Sequence, residues 1–316
     1  MRCYGPKETW FTAKVPSGML PALELDGRLL TESDRILEAL EHAFGTLGAG
    51  MHDKRVRRLR DVERLLFRAW CMWLCTPRLN SRQEVQARDQ FQKVARQMEA
   101  ALMAGGGRWL DPDCPDGAHP GTADLVFVPY VERMNASLAY FKGFALRQEH
   151  PGIDRWFNAL EKLSTYRGTQ SDVHTHAHDL PPQMGGCWSN GSPEQQAMAC
   201  AVDQGAGLAE LETSWSAQID DDGVMASHRA LERVLRHRAA LMERNPLGAA
   251  FDQPLRAALT CLVAGDLCQP NADTAIGLRY LRDRISVPRD MPLHSARLLR
   301  KVLETTAALD LSLIHI

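Results

Sequence analysis

The sequence lacks the features that mark membrane, nucleic-acid-binding and disordered proteins. None of its apolar runs approaches the about 20 residues that a helix needs to span a bilayer. Neither sign of charge dominates, since 37 Lys and Arg stand against 39 Asp and Glu, so we expect no general attraction to nucleic acid or to an anionic membrane. With 45% hydrophobic residues, the chain can build a packed core, and wholesale disorder is excluded.

Signals for export and for several common enzyme classes are missing as well. The first residues, Met1 to Pro6, contain no apolar segment of a secretory leader. We therefore expect the eight cysteines to be reduced thiols and the protein to be cytoplasmic. No P-loop, dinucleotide-binding fingerprint, Gly-x-Ser-x-Gly or His-Glu-x-x-His pattern occurs, so the enzyme classes that carry those motifs have no support.

The sequence begins with the pattern of a short hairpin followed by a helix. The segment from Leu20 to Leu25 is a strand candidate, Asp26-Gly27 is a turn signal, and Arg28 to Leu30 forms a brief return strand. A helix is predicted next, with Ser33 placed to cap it and an apolar stripe at helical spacing.

After residue 50 the pattern is helical almost to the end. Apolar residues recur at intervals of three and four, as at Phe91, Val94 and Met98. Basic residues between 54 and 60 are interleaved with acidic ones, which predicts a solvated helix face rather than a nucleic-acid patch. The Pro- and Gly-rich stretch 181–186 is the best linker candidate.

The opening resembles the thioredoxin-like domain of glutathione transferases, through a string of residues at fixed offsets. Omega-class transferases and dehydroascorbate reductases carry the most similar string, and the resemblance extends over about residues 1–180. The residues that carry it are Trp10-Phe11, Pro16, Gly18, Leu20 to Glu24, Asp26-Gly27 and Thr31 to Asp34.

The resemblance implies a mainly α protein. Residues 1–46 would form part of a thioredoxin-like α/β domain, and residues 50–180 the all-helical C-terminal domain of a glutathione transferase. Residues 190–310 are predicted to form an additional helical module of unknown function. The apolar residues 311–316 are expected to be an artefactual tail, the alternative being an irregular natural terminus.

The resemblance also implies a glutathione site around the hairpin. The bond before Pro21 is expected to be cis, so that the backbone of Leu20 pairs with the cysteinyl part of glutathione. Glu32 and Ser33 would hold the γ-glutamyl end, because a helix N-terminus favours a carboxylate. Lys14 would pair with the glycyl carboxylate. The alternative is that Ser33 only caps the helix and Glu32 is only a first-turn acid.

Two positions of the helical domain are implied to be structural. Gly121 to Asp124 resembles the Ser/Thr-x-x-Asp box of the family, with Gly121 in the usual Ser or Thr position. Asp124 is therefore expected to accept backbone N–H groups at a helix start. The segment from Pro151 to Phe157 also resembles a family pattern, which places Trp156 in the core.

The sequence departs from the family at its N-terminus. The strand, helix and second strand that carry the family's catalytic Cys, Ser or Tyr have no counterpart before Trp10, and no Cys-Pro-x-Cys or Cys-Pro-x-Ser occurs anywhere. The catalytic residue is therefore unknown. Cys3 is a weak candidate, since no neighbouring residue would activate its thiol.

Two other groups of reactive side chains have structural interpretations. Cys71 and Cys75 lie four apart on a predicted helix, a poor geometry for a disulfide, and are expected to be buried structural thiols. His174, His176 and His178 alternate, and in an extended segment they would face one way, as Zn²⁺ or Cu²⁺ requires. The resemblance predicts a polar surface segment there instead, and no metal is expected.

Two functions follow from these expectations. The first is an enzyme of omega or dehydroascorbate reductase type, which uses glutathione to conjugate a small electrophile or to reduce an oxidant. Phe67, Trp70 and Tyr130 are predicted to wall its hydrophobic-substrate site. Little activity is expected of this chain, because the thiol-activating segment is missing. The alternatives are a non-catalytic transferase-fold binding or scaffold protein and a purely structural helical protein. A homodimer is a further expectation.

Overall fold

The computed structural model describes residues 7–111, 119–208 and 223–310. Within these ranges the chain is mainly helical and has a single two-stranded sheet. A short helix precedes the sheet and a longer one follows it. These elements are α1 (Thr9–Lys14), β1 (Ala22–Leu25), β2 (Arg28–Thr31) and α2 (Ser33–Phe44).

The turn at Asp26-Gly27 determines the register of the hairpin. The strands are antiparallel, and Leu25 pairs with Arg28, which leaves a two-residue loop. Asp26 and Gly27 have φ values of 50° and 73°, as a type I′ turn requires and as Asp-Gly readily provides. The Leu20–Pro21 bond just before β1 is cis, the geometry that the resemblance implies.

The remaining helices form two packed groups. No helix in the described ranges combines the length and the apolar character needed to cross a membrane. The first group comprises α3 (Lys54–Cys75), α4 (Ser81–Ala104), α5 (Thr122–Lys142), α6 (Leu146–Glu149), α7 (Pro151–Leu160), α8 (Ser164–Arg167), α9 (Val173–Met184) and α10 (Pro193–Asp203). The second comprises α11 (Gly223–Arg244), a 3₁₀ helix (Gly248–Phe251), α12 (Asp252–Ala264), α13 (Ala275–Arg282) and α14 (Leu293–Ala308).

A buried carboxylate organises the first group at the start of α5. Asp124 is fully buried and accepts hydrogen bonds from several donors, among them the backbone of Asp111. Further donors are the backbone N–H of Leu110 at 2.9 Å, that of Gly121 at 3.0 Å and the indole of Trp156 at 2.7 Å. Burial raises the pKa of Asp124, and these hydrogen bonds oppose the rise. The carboxylate thereby ties the loop before α5 to the core around Trp156.

Gly121 replaces the family's Ser or Thr at this helix start for a steric reason. A Cβ on Gly121 would lie 2.7 Å from the Cβ of Asp111. Asp111 is itself buried, and its carboxylate accepts the N–H of Ala49 at 2.6 Å. The space of a capping side chain is therefore filled by Asp111, which connects the start of α5 to the segment after α2.

The two helical groups meet in a buried polar contact. Arg300 of the second group is 1% exposed and forms an ion pair with Asp172, just before α9. It also donates to the carbonyl of Ile285 at 2.7 Å. The backbone N–H of Val287 donates to the Thr175 hydroxyl at 3.0 Å. Buried hydrogen bonds thus join the two helical groups.

The linker predicted over residues 181–186 is wrong. Pro181 and Pro182 lie inside α9, which runs to Met184, and the adjacent Leu180 is 1% exposed. After α9 the chain stays attached, since the N–H of Trp188 donates to the carbonyl of Leu74 at 2.9 Å. Packing of α9 against α5 has overridden the local preference of proline. Helix α10 also packs on α5, and the domain limits at 180 and 190 stay predictions.

Two local expectations also differ from the structure. Helix α2 begins at Ser33 itself. The residue at the capping position is therefore Glu32, and its side chain forms no capping hydrogen bond. Ser33 is therefore not the capping residue. The histidine segment is neither extended nor on the surface, because it lies in α9 with His174 3% exposed. Cys3 and the tail 311–316 lie outside the described residues.

Candidate functional site

A cleft of about 520 Å³ lies where the start of α2 faces α3 and α5. Helix α2 contributes its first turn, α3 a stripe of charged residues and one phenylalanine, and α5 one tyrosine. Four of the predicted site residues, Glu32, Ser33, Phe67 and Tyr130, come together here. The lining consists of Glu32, Ser33, Asp34, Arg35, Arg60, Glu63, Arg64, Phe67, Arg68 and Tyr130.

The backbone at the start of α2 is arranged to meet an anion. Glu32 has φ 72° and ψ 120°, a conformation that costs a non-glycine residue free energy and that clusters at functional sites. The Glu32 side chain does not cap this helix, and among the residues that the structure describes no side chain accepts from its first-turn N–H groups. Ser33 therefore presents its backbone N–H and its hydroxyl at the positive end of a 12-residue helix.

Arginines make the cleft more favourable for an anion. Arg35, Arg60, Arg64 and Arg68 line it against three carboxylates, those of Glu32, Asp34 and Glu63. Arg60 belongs to the basic segment predicted as a solvated face, but its side chain is only 11% exposed and binds Asp34 at 2.8 Å. Among the described residues the Nε of Arg60 has no hydrogen-bond partner.

The deeper wall of the cleft is aromatic. The rings of Phe67 and Tyr130 meet edge to face, with centroids 5.4 Å apart. Burial, with the nearby carboxylates of Glu63 and Asp34, raises the pKa of Tyr130. Its phenol is therefore protonated at neutral pH and can donate a hydrogen bond. Trp70, expected in this wall, is 1% exposed, packs behind Phe67 and donates to the Ser137 hydroxyl at 2.9 Å.

Burial affects the ionisation of the Glu63 carboxylate in the cleft. It raises the pKa of Glu63, Arg60 and Arg64 oppose the rise, and Asp34 adds to it. The charged form of Glu63 is thereby disfavoured, which strengthens the influence of the arginines on an incoming anion.

Other predicted site residues lie outside the cleft lining. Leu20 is 50% exposed, and within the described part of the chain its backbone forms no hydrogen bond. Its N–H and C=O, next to the cis bond before Pro21, are thus open to a ligand. Lys14 is exposed and pairs with Glu24 at 3.3 Å. The side chain of Lys14 is therefore already engaged by an acid of β1.

Comparison with known protein families adds to this geometry. A family model described as glutathione S-transferase, N-terminal domain, matches residues 1–43. A second, described as glutathione S-transferase, C-terminal domain, matches residues 28–159. Together they cover half of the chain. The chain belongs to the glutathione S-transferase family. No curated protein and no solved structure matches it.

Family membership explains the architecture of this chain. The β1–β2 hairpin with α2 corresponds to part of the thioredoxin-like domain, and the bundle that begins with α3 corresponds to the helical domain. The predicted fold class is therefore confirmed. The cleft lies between these two parts of the chain, since α2 belongs to one and α3 and α5 to the other.

The structure also adds Cys187 to the predicted pair of Cys71 and Cys75, which makes a cluster of three thiols. Cys71 and Cys75 on α3 are half-buried. Cys71 and Cys187 each form a hydrogen bond with the Cys75 thiol. Hydrogen bonds from Cys187 and Cys71 lower the pKa of Cys75 to about 3. Cys187 lies far along the chain, so spacing could not reveal it. None of the three lines the cleft.

Proposed function

We propose that this transferase-family chain binds glutathione in the cleft, with the γ-glutamyl carboxylate at the start of α2. The observation that carries the proposal is the uncapped N-terminus of α2, which opens into a cleft lined by four arginines. Free N–H groups, the helix dipole and guanidinium groups all favour a carboxylate. Ser33 would donate hydrogen bonds from its backbone N–H and its hydroxyl, and the Glu32 carboxylate would pair with the γ-glutamyl ammonium group.

The open backbone of Leu20 supports the same binding mode. Its unpaired N–H and C=O could take the cysteinyl backbone of glutathione as an added strand. Lys14 could reach the glycyl carboxylate only by leaving Glu24, to which it is paired on the surface. We therefore assign Lys14 a smaller part in affinity than Ser33.

We further propose a small electrophile or oxidant as the second substrate, held against Phe67 and Tyr130. Their edge-to-face pair offers an apolar surface next to the charged end of the cleft. A protonated Tyr130 could donate to the sulfur or to the second substrate. The reaction would be glutathione conjugation or thiol-dependent reduction of the omega or dehydroascorbate reductase type. A cytoplasmic location and a homodimer belong to this proposal.

A non-catalytic binding protein is the alternative, and one observation favours it. No cysteine is among the residues that line the cleft, and the raised pKa of Tyr130 makes it a poor phenolate. The pKa of a bound glutathione thiol would then be lowered by the arginines, by the N-terminus of α2 and by a hydrogen bond from the Tyr130 hydroxyl, without a protein thiol taking part.

Calorimetric titration with glutathione tests binding. Ser33→Pro removes one N–H while Pro is tolerated at the first position of a helix. We expect the affinity for glutathione to fall at least about tenfold, the scale of one lost charge-assisted hydrogen bond. Ser81→Pro is the matched control, because Ser81 is the first residue of α4.

The two functions are separated by turnover of a chromogenic aryl halide with glutathione. Turnover above the uncatalysed rate supports the enzyme, and binding without turnover supports the binding protein. Absence of glutathione binding by the folded wild-type chain, or equal affinity of the Ser33→Pro and Ser81→Pro variants, would contradict the site.

A further inference from the structure

Outside the cleft, two histidines of α9 face a carboxylate of the second helical group. His174 and His178 are one turn apart, which places them on the same side of the helix, and their ring centroids are 4.3 Å apart. Asp283 directly follows α13. One ligand atom from each of these three side chains lies within 4.8 Å of the other two.

His174 is buried without a hydrogen-bond partner. It is 3% exposed, and among the described residues neither of its ring nitrogens has a partner. A buried imidazole normally forms at least one hydrogen bond, because leaving it unsatisfied costs free energy. Since a ring nitrogen of His174 lies in the same small volume as the ligand atoms of His178 and Asp283, a bound cation would satisfy it.

A further carboxylate lies next to His178. Asp203, the last residue of α10, has a carboxylate oxygen 2.9 Å from Nε2 of His178. The same nitrogen lies 3.9 Å from Oδ1 of Asp283. Ligand atoms of a tetrahedral zinc site, each about 2.0–2.2 Å from the metal, are roughly 3.4 Å apart. The two distances bracket that value, so small side-chain adjustments would complete the coordination.

The charges around the cluster are compatible with a divalent cation. Asp283 belongs to the cluster, and the carboxylates of Asp203 and Glu304 lie beside it. Arg282 contacts all three carboxylates. Arg279 pairs with Glu304 at 2.9 Å. Two arginines against three carboxylates leave a net negative charge, which a cation would offset.

We propose that His174, His178 and Asp283, completed by Asp203, form a site for Zn²⁺. Imidazole and carboxylate ligands in a tetrahedral set of four suit zinc. The ligands come from α9 and α10 of the first helical group and from the end of α13 in the second. The ion would therefore hold the second helical group against the transferase bundle, next to the Arg300–Asp172 contact.

The test is zinc stoichiometry of the whole chain after dialysis against a weak chelator, measured by elemental analysis. We expect one zinc per chain, lost in Asp283→Asn and in His174→Gln. His176→Gln is the matched control, since His176 lies on the same helix, also buried, but beside Glu132 rather than in the cluster. The control should retain its zinc, and circular dichroism would verify that each variant is folded.

A second readout separates a built site from adventitious binding to other histidines. Co²⁺ in a tetrahedral site gives visible absorption, which we expect for the wild-type chain and the His176→Gln variant only. Zinc should also raise the thermal unfolding midpoint of those two proteins and not of Asp283→Asn. Zinc that stays bound equally in the Asp283→Asn and His174→Gln variants is adventitious zinc only and overturns the proposal, as does a wild-type chain that binds none.

Discussion

At the scale of single residues, Glu132 and His176 form a buried pair with opposite pKa shifts. The carboxylate of Glu132 accepts the Tyr166 hydroxyl at 2.6 Å and lies 3.9 Å from Nε2 of His176. Burial raises the pKa of Glu132 to about 7. Burial, with the charge of Arg133, lowers the pKa of His176 to about 4. Each group is therefore held in its neutral form across mildly acidic pH.

These shifts predict opposite pH dependences in two single variants. In His176→Gln the folded state still binds the extra proton of Glu132, so stability falls as pH rises from about 4.5 to about 7. In Glu132→Gln the unfolded state binds the extra proton through His176, so stability rises from about pH 4 to about pH 6.5. Each change amounts to about 3 kcal/mol at most.

Denaturant unfolding at a series of pH values measures both slopes. In the wild-type chain the contributions oppose each other, so its own dependence over this range should be weaker than that of either variant. Parallel slopes in the two variants would show that the burial of one of the groups does not persist in solution.

At the scale of elements, the start of α5 depends on one carboxylate. Asp124→Ala removes the acceptor of the Trp156 indole and of the backbone N–H groups of Leu110 and Gly121, and so leaves buried donors without a partner. We expect the free energy of unfolding to fall by about 3 kcal/mol. Asp89→Ala, on the exposed face of α4, is the control and should change it by less than about 0.5 kcal/mol. Thermal denaturation of both variants would decide, and equal stability would refute the role of Asp124.

Elements that depend on local chemistry could be predicted from the sequence. The hairpin follows from Asp26-Gly27, and the start of α2 was displaced by only one residue. Helix α9 could not be predicted, because two prolines point to a linker and only the burial of Leu180 overrides them.

The site shows the same division between local and distant information. Ser33 and Tyr130 were reached through the family resemblance, and Trp70 was misplaced because spacing along α3 does not distinguish a wall from the core behind it. The alternating histidines suggested a metal site only for an extended segment. The group of His174, His178 and Asp283 could not be predicted, since the packing of the two helical groups brings Asp283 to the two histidines.

At the scale of the whole molecule, the Arg300–Asp172 contact couples the two helical groups. Burial alone would raise the pKa of Asp172, but the guanidinium of Arg300 and the Thr175 hydrogen bonds lower it. Arg300→Met would leave this carboxylate charged, buried and without its cation. We expect a loss of about 3–5 kcal/mol, the scale for breaking a buried ion pair from one side. The double variant Arg300→Met with Asp172→Asn should recover part of that loss.

Two optical probes can follow the groups separately, because all seven tryptophans precede residue 223. Tryptophan fluorescence therefore reports on the first part of the chain, whereas circular dichroism reports on both groups. We expect coincident unfolding transitions in the wild-type chain and separated ones in Arg300→Met. Separated transitions already in the wild-type chain would mean that the buried contact does not couple the groups.

Helix α2 begins at the cleft, yet no side chain along it is fully buried. It is held mainly by polar contacts, those of Glu41 with the N–H of Met51 and the hydroxyl of Thr122, and that of Asp34 with Arg60. A segment held in this way opens more readily than the bundle core. The measured affinity for an anion at Ser33 therefore includes the fraction of time that α2 spends docked. Any change that strengthens the docking of α2, even one remote from Ser33, would tighten ligand binding without adding a contact to the ligand.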